Sequence, residues 1–186
     1  MSSTAPAASQ TLKNLQSAFE GESNAAVRYT AFAEKARQEG YLRVATLFHA
    51  AARAEQIHAA SHSKVIIKMG ATPAAKIAEP IVGTTSENLT AARKGEEYER
   101  DVMYPEFIRE AQSSGNSSAV RTFRMAGEAE AVHATLYSGA LNNLEAQRIA
   151  TIFYVCPVCG EITDDETLTS CPICSTSSDK FEFFTS

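Results

Sequence analysis

GYLRVATLFHAAARAEQIHA, residues 40–59, and GNSSAVRTFRMAGEAEAVHA, residues 115–134, are one pattern written twice. At an offset of 75, Phe48 falls on Phe123, Ala51 on Ala126, Glu55 on Glu130 and His58 on His133. In each copy apolar residues recur at helical spacing and no proline interrupts them, so each predicts a long helix. A repeat of this size reads as duplication of a structural unit, here a helical hairpin. Extended backward, the same offset pairs Tyr29 with Tyr104, and a one-residue slip pairs Glu20 with Glu96.

The flanking sequence supplies the other helices. One is predicted from Thr11 to about Gln38, closed by Gly40, and the next from about Tyr41 to Met69, stopped by Gly70. ATPAAKIAEPIVG, residues 71–83, has two prolines and a glycine and is too long for a tight turn, so a crossover connection is expected. Thr84 and Glu87 form a capping box that starts a third helix, running to about Gln112. SSGNSS, residues 113–118, is a turn, and a fourth helix follows from about Ser118 to Ala146. The expected fold class is mainly α. Residues 1–10 form a flexible N-terminus, residues 11–147 a four-helix bundle with a long crossover, and residues 148–186 a small β-rich, metal-held domain.

Each second helix carries Glu-x-x-His, Glu55 with His58 and Glu130 with His133. Residues three apart share a helix face, so each pair can aim a carboxylate and an imidazole at one point. Those points lie within apolar stripes. Glu130 is centred among Ala119, Phe123, Ala126, Tyr137 and Leu141, and Glu55 among Val44, Phe48, Ala51 and Ile66, with His62 two turns on. Glu96 sits among Leu89, Ala92, Met103 and Phe107, and Glu20, less cleanly, among Leu12, Phe19, Val27 and Ala31. A buried carboxylate needs a counter-charge or a proton, and apart from Arg100 no cation occupies a stripe centre. Two metal ions would neutralise the set. One Glu from each of two helices plus Glu-x-x-His from each of the others is the pattern of a carboxylate-bridged dimetal bundle. Glu22, Glu34, Glu97 and Glu110 read as solvated, and His49 and His62 as structural.

All four cysteines fall near the C-terminus as C-x2-C-x11-C-x2-C: Cys156, Cys159, Cys171 and Cys174. Two Cys-Pro-x-Cys knuckles make a tetrahedral all-sulfur site for iron, or for a zinc that is purely structural. Free thiols used this way suit a reducing compartment. The N-terminus lacks a basic, apolar leader and no run of about 18 apolar residues occurs, so a cytoplasmic protein without membrane contact is expected. A net charge of −5 with scattered Lys and Arg excludes a nucleic-acid face.

From Leu12 to Phe184 the chain resembles the rubrerythrin family, with GEEYERDVMYP, residues 95–105, matching that family's GE-x-YE-x-x-x-MYP motif. The resemblance implies a ferritin-like di-iron bundle followed by a rubredoxin-like domain. It implies that Glu20, Glu55, His58, Glu96, Glu99, Glu130 and His133 serve two irons, with Glu55 and Glu130 bridging. Tyr29 and Tyr104 would donate hydrogen bonds or protons to glutamate ligands, and the four cysteines would hold a one-electron iron.

The implied activity is a peroxidase of oxidative stress defence that reduces hydrogen peroxide to water. Its electrons would come from an NADH-linked reductase, rubredoxin or ferredoxin. The implied assembly is a homodimer in which one subunit's cysteine module lies near the other's di-iron site. Two alternatives stay open: a ferritin-like ferroxidase using oxygen, and a non-enzymatic bundle with a zinc ribbon. Glu99, which the slipped register that pairs Glu20 with Glu96 sets against Ser23, breaks the repeat and is expected to exchange with His58 at one iron as its redox state changes. Pro105 is expected to kink the third helix. Ser175, standing where rubredoxin knuckles carry glycine, is expected to distort one amide-to-sulfur hydrogen bond.

Overall fold

The structure, a computed structural model, describes residues 9–185. The flexible N-terminus expected over residues 1–10 falls outside the described residues as far as residue 8. Ser9 is already the N-cap of α1 (Gln10–Gln38), its hydroxyl accepting from the Leu12 N–H. Gly40, at φ +81°, closes that helix, and the Tyr41 N–H returns to the Ala36 carbonyl at 2.9 Å. The chain then reverses into α2 (Leu42–Lys68), which packs along α1 to complete the first hairpin.

The second hairpin has a less regular first arm. α3 (Thr85–Tyr98) starts at the predicted capping box, with Thr84 Oγ1 accepting from the Glu87 N–H and Glu87 Oε2 from the Thr84 N–H. A π-helical turn over Glu99–Met103 follows, then α4 (Tyr104–Ser113). Just before Pro105, where a kink was expected, the chain makes this wider turn. Tyr104 N–H bonds back five residues to the Glu99 carbonyl, and Pro105 lies in the first turn of α4, where a missing N–H is tolerated. After Gly115, at φ +69°, Asn116 caps α5 (Ser117–Asn142). α5 stops four residues before the expected Ala146, and a single 3-10 turn, Glu145–Arg148, leads out of the bundle.

The crossover, residues 71–83, lies along α1 without helix or strand. Three side chains one turn apart on α1 hold its backbone. Gln16 bonds the Thr72 carbonyl and the Ala74 N–H, Glu20 Oε1 accepts from the Lys76 N–H at 3.1 Å, and Asn24 bonds the Lys76 carbonyl and the Ala78 N–H.

The C-terminal module is a three-stranded antiparallel sheet in the order β2-β1-β3, from β1 (Phe153–Val155), β2 (Ile162–Thr163) and β3 (Glu182–Phe184). Tyr154 sits between Thr163 and Phe183 in register. Phe153, Val155 and Ile162 join the core of the bundle rather than forming a separate one. Arg53 of α2 grips Glu182 with two bonds of 2.7 and 2.8 Å, and Arg43 pairs with Asp164 beside the Phe153 ring. The architecture is thus a four-helix bundle with a long crossover, carrying a small sheet seated on α2. No described helix is long and apolar enough to cross a membrane.

Candidate metal centres

Every helix of the bundle except α4 sends an acid to one buried point. Glu22 comes from α1, Glu55 and His58 from α2, Glu96 from α3, and Glu130 and His133 from α5; none exposes more than 2% of its surface. Their ligand atoms form two overlapping sets within 4.8 Å: Glu22, Glu55, His58 and Glu130, and Glu55, Glu96, Glu130 and His133. Glu55 and Glu130 belong to both. That is the arrangement two bridging carboxylates and two terminal Glu and His ligands require.

Glu20, expected in this set, is not in it, and Glu22, read as solvated, is. Two residues on a helix are about 200° apart, so only one of them can face the core. Glu22 continues the buried row Ala18, Ala25, Ala26 and Tyr29, whereas Glu20 faces the crossover. The π-helical turn explains the misreading. Gly21-Glu22 matches Gly95-Glu96 at an offset of 74, Tyr29 matches Tyr104 at 75, and the turn between Glu96 and Tyr104 absorbs the extra residue. On that corrected register Glu99 lies opposite Ala25, not Ser23.

The cluster is built for cations. Glu22 Oε2, Glu55 Oε1, Glu96 Oε2, both Glu130 oxygens and His133 Nδ1 are buried with no hydrogen-bond partner among the described residues. His58 Nδ1 approaches Glu130 Oε1 to 2.9 Å and His133 Nδ1 approaches Glu130 Oε2 to 2.8 Å, but neither contact is aligned as a hydrogen bond. Burial pushes the Glu55 and Glu96 carboxyls well up, and neighbouring carboxylates push them further. Burial opposes the His58 imidazolium, yet Glu130 and Glu22 outweigh it and raise its pKa to about 9. So many orphaned oxygens converging around raised acids fit two metal ions, which would replace the protons.

Tyr29 and Tyr104 stand where the repeat places them, at opposite ends of the cluster. Tyr29 Oη donates to Glu96 Oε1 at 2.6 Å, and Tyr104 Oη donates to Glu22 Oε1. Gly127 on α5 makes room for Tyr104, since a Cβ there would press on the tyrosine at 3.1 Å. Glu99 belongs to neither ligand set. It is half-buried on the π-helical turn, and burial together with the Glu22 and Glu130 charges raises its carboxyl. His62, read as structural, touches Tyr104 and Thr122, and Tyr137 packs on Tyr29 with its hydroxyl unpartnered among the described residues. Both lie seven residues beyond a cluster glutamate, a spacing that marks them as core residues without assigning them polar roles.

The four cysteines are unbridged and converge, with Cys156 and Cys174 sulfurs 3.5 Å apart and Cys159 and Cys171 sulfurs 3.4 Å apart. Tetrahedral metal–sulfur bonds of about 2.3 Å give sulfur–sulfur edges of about 3.8 Å, close to these. Backbone amides of Val158 and Cys159 face the Cys156 sulfur, and those of Ile173 and Cys174 face Cys171. Ser175 keeps the turn of the first knuckle. It takes φ +61° against +78° at Gly160, and its N–H reaches the Cys171 carbonyl at 2.9 Å, as Gly160 reaches Cys156 at 3.0 Å. The strain is borne in the serine backbone.

The two centres meet inside one chain. His58 Nε2 lies 2.9 Å from the Cys159 carbonyl oxygen, and His133 Nε2 lies 3.0 Å from that of Gly160. A carbonyl only accepts, so both Nε2 atoms carry hydrogen and donate, which leaves both Nδ1 atoms as the ones facing the carboxylates. A Cβ on Gly160 would collide with the His58 ring, so glycine here also permits the close seat. Glu161, not singled out in the sequence, is buried beside this junction, and burial pushes its carboxyl up to about 7. The module therefore lies against the cluster of its own chain.

Comparison with known proteins agrees with this geometry. Residues 13–141 match the family model described as rubrerythrin, and residues 154–182 the one described as the rubrerythrin rubredoxin-like domain. Nigerythrin of Nitratidesulfovibrio vulgaris is 42% identical over 94% of this chain and 87% of its own length. Rubrerythrin-2 of Clostridium acetobutylicum is 38% identical over 91% and 94%. A solved structure of fully reduced, all-ferrous nigerythrin superposes with a TM-score of 0.87 at 39% identity, covering 98% of this chain and 91% of that one. A bacterioferritin of Desulfovibrio desulfuricans, at TM-score 0.69 and 19% identity over 74% of this chain and 81% of its own, shares the bundle fold.

Proposed function

This chain belongs to the rubrerythrin family, with a di-iron site and a rubredoxin-like four-cysteine site, and on that premise we propose that it is a peroxidase reducing hydrogen peroxide to water. The observation that carries the reading is the double seat of His58 and His133 on the Cys159 and Gly160 carbonyls, which joins an electron store to the di-iron cluster through hydrogen bonds. An oxygen-driven iron store has no need of such a junction.

Glu22, Glu55, His58, Glu96, Glu130 and His133 would hold the two irons, and Cys156, Cys159, Cys171 and Cys174 the third. When bound there, two ferrous ions would supply the two electrons that hydrogen peroxide needs to become two waters. The protein holds the rest of the chemistry in place. The carbonyls of the first knuckle fix both histidine tautomers, the buried helices exclude bulk water from the carboxylates, and Tyr29 and Tyr104 orient Glu96 and Glu22 and stand ready as proton donors.

Electrons would enter one at a time at the four-cysteine iron from an NADH-linked reductase or a rubredoxin or ferredoxin. A homodimer, which the family resemblance implies, would carry two complete sites. Free thiols and oxidative stress defence both suit the cytoplasm. The test is anaerobic mixing of fully reduced protein with one equivalent of peroxide, followed by the same protein with oxygen. Peroxide should oxidise the di-iron site faster than oxygen does; slow peroxide oxidation with rapid oxygen-driven iron uptake would instead make this a ferroxidase.

A further inference from the structure

A chain of polar groups leaves the carboxylate cluster at the Glu22 end. Tyr104 Oη gives its one hydrogen to Glu22, so its oxygen can only accept from His62 Nε2, 3.1 Å away. In the neutral imidazole the one ring proton therefore sits on Nε2, facing Tyr104. Nδ1 is then a lone pair, and Thr122 Oγ1, 3.1 Å from it, must donate. Every donor in the chain points toward Glu22. Thr122 is the outer end: it lines a cavity of ≈540 Å³ between α2, α5 and the first knuckle, together with Ser61, Lys64 and Arg121.

Among the described residues, the other end of the cluster has no such exit. Tyr29 is backed by Phe32, Phe48 and Tyr137, with ring centroids 6.2, 5.8 and 5.9 Å away, and the Tyr137 hydroxyl is unpartnered among the described residues. At the offset of 75, Tyr137 corresponds to His62 and Leu47 to Thr122, so the duplication has kept the polar chain on one side alone.

We propose that Thr122 and His62 are a proton relay that refills Tyr104 from the α2–α5 cavity, so that protons for peroxide reduction enter at the Glu22 end. In one transit the Tyr104 O–H bond breaks toward a substrate oxygen or Glu22, and the His62 Nε2 proton passes to Tyr104. The Thr122 proton passes to Nδ1, and a proton from cavity water replaces it. No electrons move, one proton is taken from solvent for each delivered, and reorientation of the ring and hydroxyls resets the chain. Two transits supply the two protons that accompany the two electrons.

The consequence for turnover rests on the peroxidase reading, but the relay can be read without it. In full-length protein loaded with zinc, which keeps proton resonances sharp, NMR can follow exchange of the Tyr104 and Tyr29 hydroxyl protons with water. Tyr104 should exchange faster than Tyr29, Thr122→Val should slow Tyr104 about tenfold, the factor of roughly one hydrogen bond, and Thr122→Ser should restore it. Tyr29 should not respond. Equal exchange of the two tyrosines, or a Tyr104 rate unmoved by Thr122→Val, would overturn the relay. With iron loaded, Thr122→Val should slow peroxide reduction and Thr122→Ser recover it. If exchange follows the expected pattern while reduced wild type ignores peroxide, the peroxidase reading fails and the relay stands.

Discussion

Glu20 and Glu22 stand on the same turn of α1 and have unrelated work. One carboxylate ties down the crossover and the other reaches the cluster. Glu22→Gln should therefore remove about one iron per chain, because a metal site assembled at the expense of buried charge does not survive loss of a terminal ligand. Glu20→Gln should keep both irons, at most losing the ~1 kcal/mol of one hydrogen bond. Metal analysis of the two purified variants separates them, and equal iron in both would remove Glu22 from the ligand set. At this scale the sequence was legible wherever the repeat was strict. Glu55, His58, Glu130 and His133 share one unbroken offset and all converge, whereas Glu22 lies across a register change that periodicity assumes away. The shared Gly-Glu pair at 21–22 and 95–96 was the signal that could have found it.

Among the elements, the π-helical turn interrupts the second hairpin where α1 of the first runs unbroken. It widens the helix between Glu96 and Tyr104 and presents Glu99 beside the cluster, outside both ligand sets, while His58 Nδ1 faces inward. With iron bound, a ferrous ion would favour the His58 imidazole, and oxidation should draw Glu99 in as His58 withdraws. Structures of oxidised and reduced iron-loaded protein decide it, and an unchanged ligand set would sink the exchange. Helix identities, the capping box and the crossover could be read from the sequence because caps, glycines and prolines act locally. The π turn could not, since a single inserted residue leaves composition and apolar spacing almost intact on either side.

For the whole molecule, the cluster makes stability depend on pH in a way that metal should abolish. In metal-free protein His58 is raised from 6.5 to about 9, so its contribution is complete below pH 6.5 and lost as pH climbs through about 9. Glu55 and Glu96, also raised, lose stability in the same direction above 4.5, while Glu22 and Glu130, both lowered, stay ionised throughout this window and add no slope. The melting temperature of metal-free protein should fall between pH 6.5 and 9, with His58 alone worth up to about 3 kcal/mol. Iron- or zinc-loaded protein should melt at a nearly constant temperature there; a metal-free protein that gained stability across the window would contradict the assignment. The seating of the cysteine module over its own chain's cluster was not legible, because it depends on Arg43, Arg53 and two backbone carbonyls that carry no sequence signature.

The crossover held by Gln16, Glu20 and Asn24 has a last consequence. Four helical residues advance about 6.0 Å and two residues of extended chain about 6.6 Å, so the rungs on α1 and the bonded groups at alternate crossover residues run almost in step, like the two scales of a vernier. The mismatch reaches on the order of 1 Å after two steps, which is about as far as hydrogen bonds can follow. Such a scale is short by nature and reads one position. Adding a single residue to the crossover would turn its bonded groups away from α1, and adding two would move the second hairpin by a whole rung, carrying Glu96 along the bundle axis relative to Glu22.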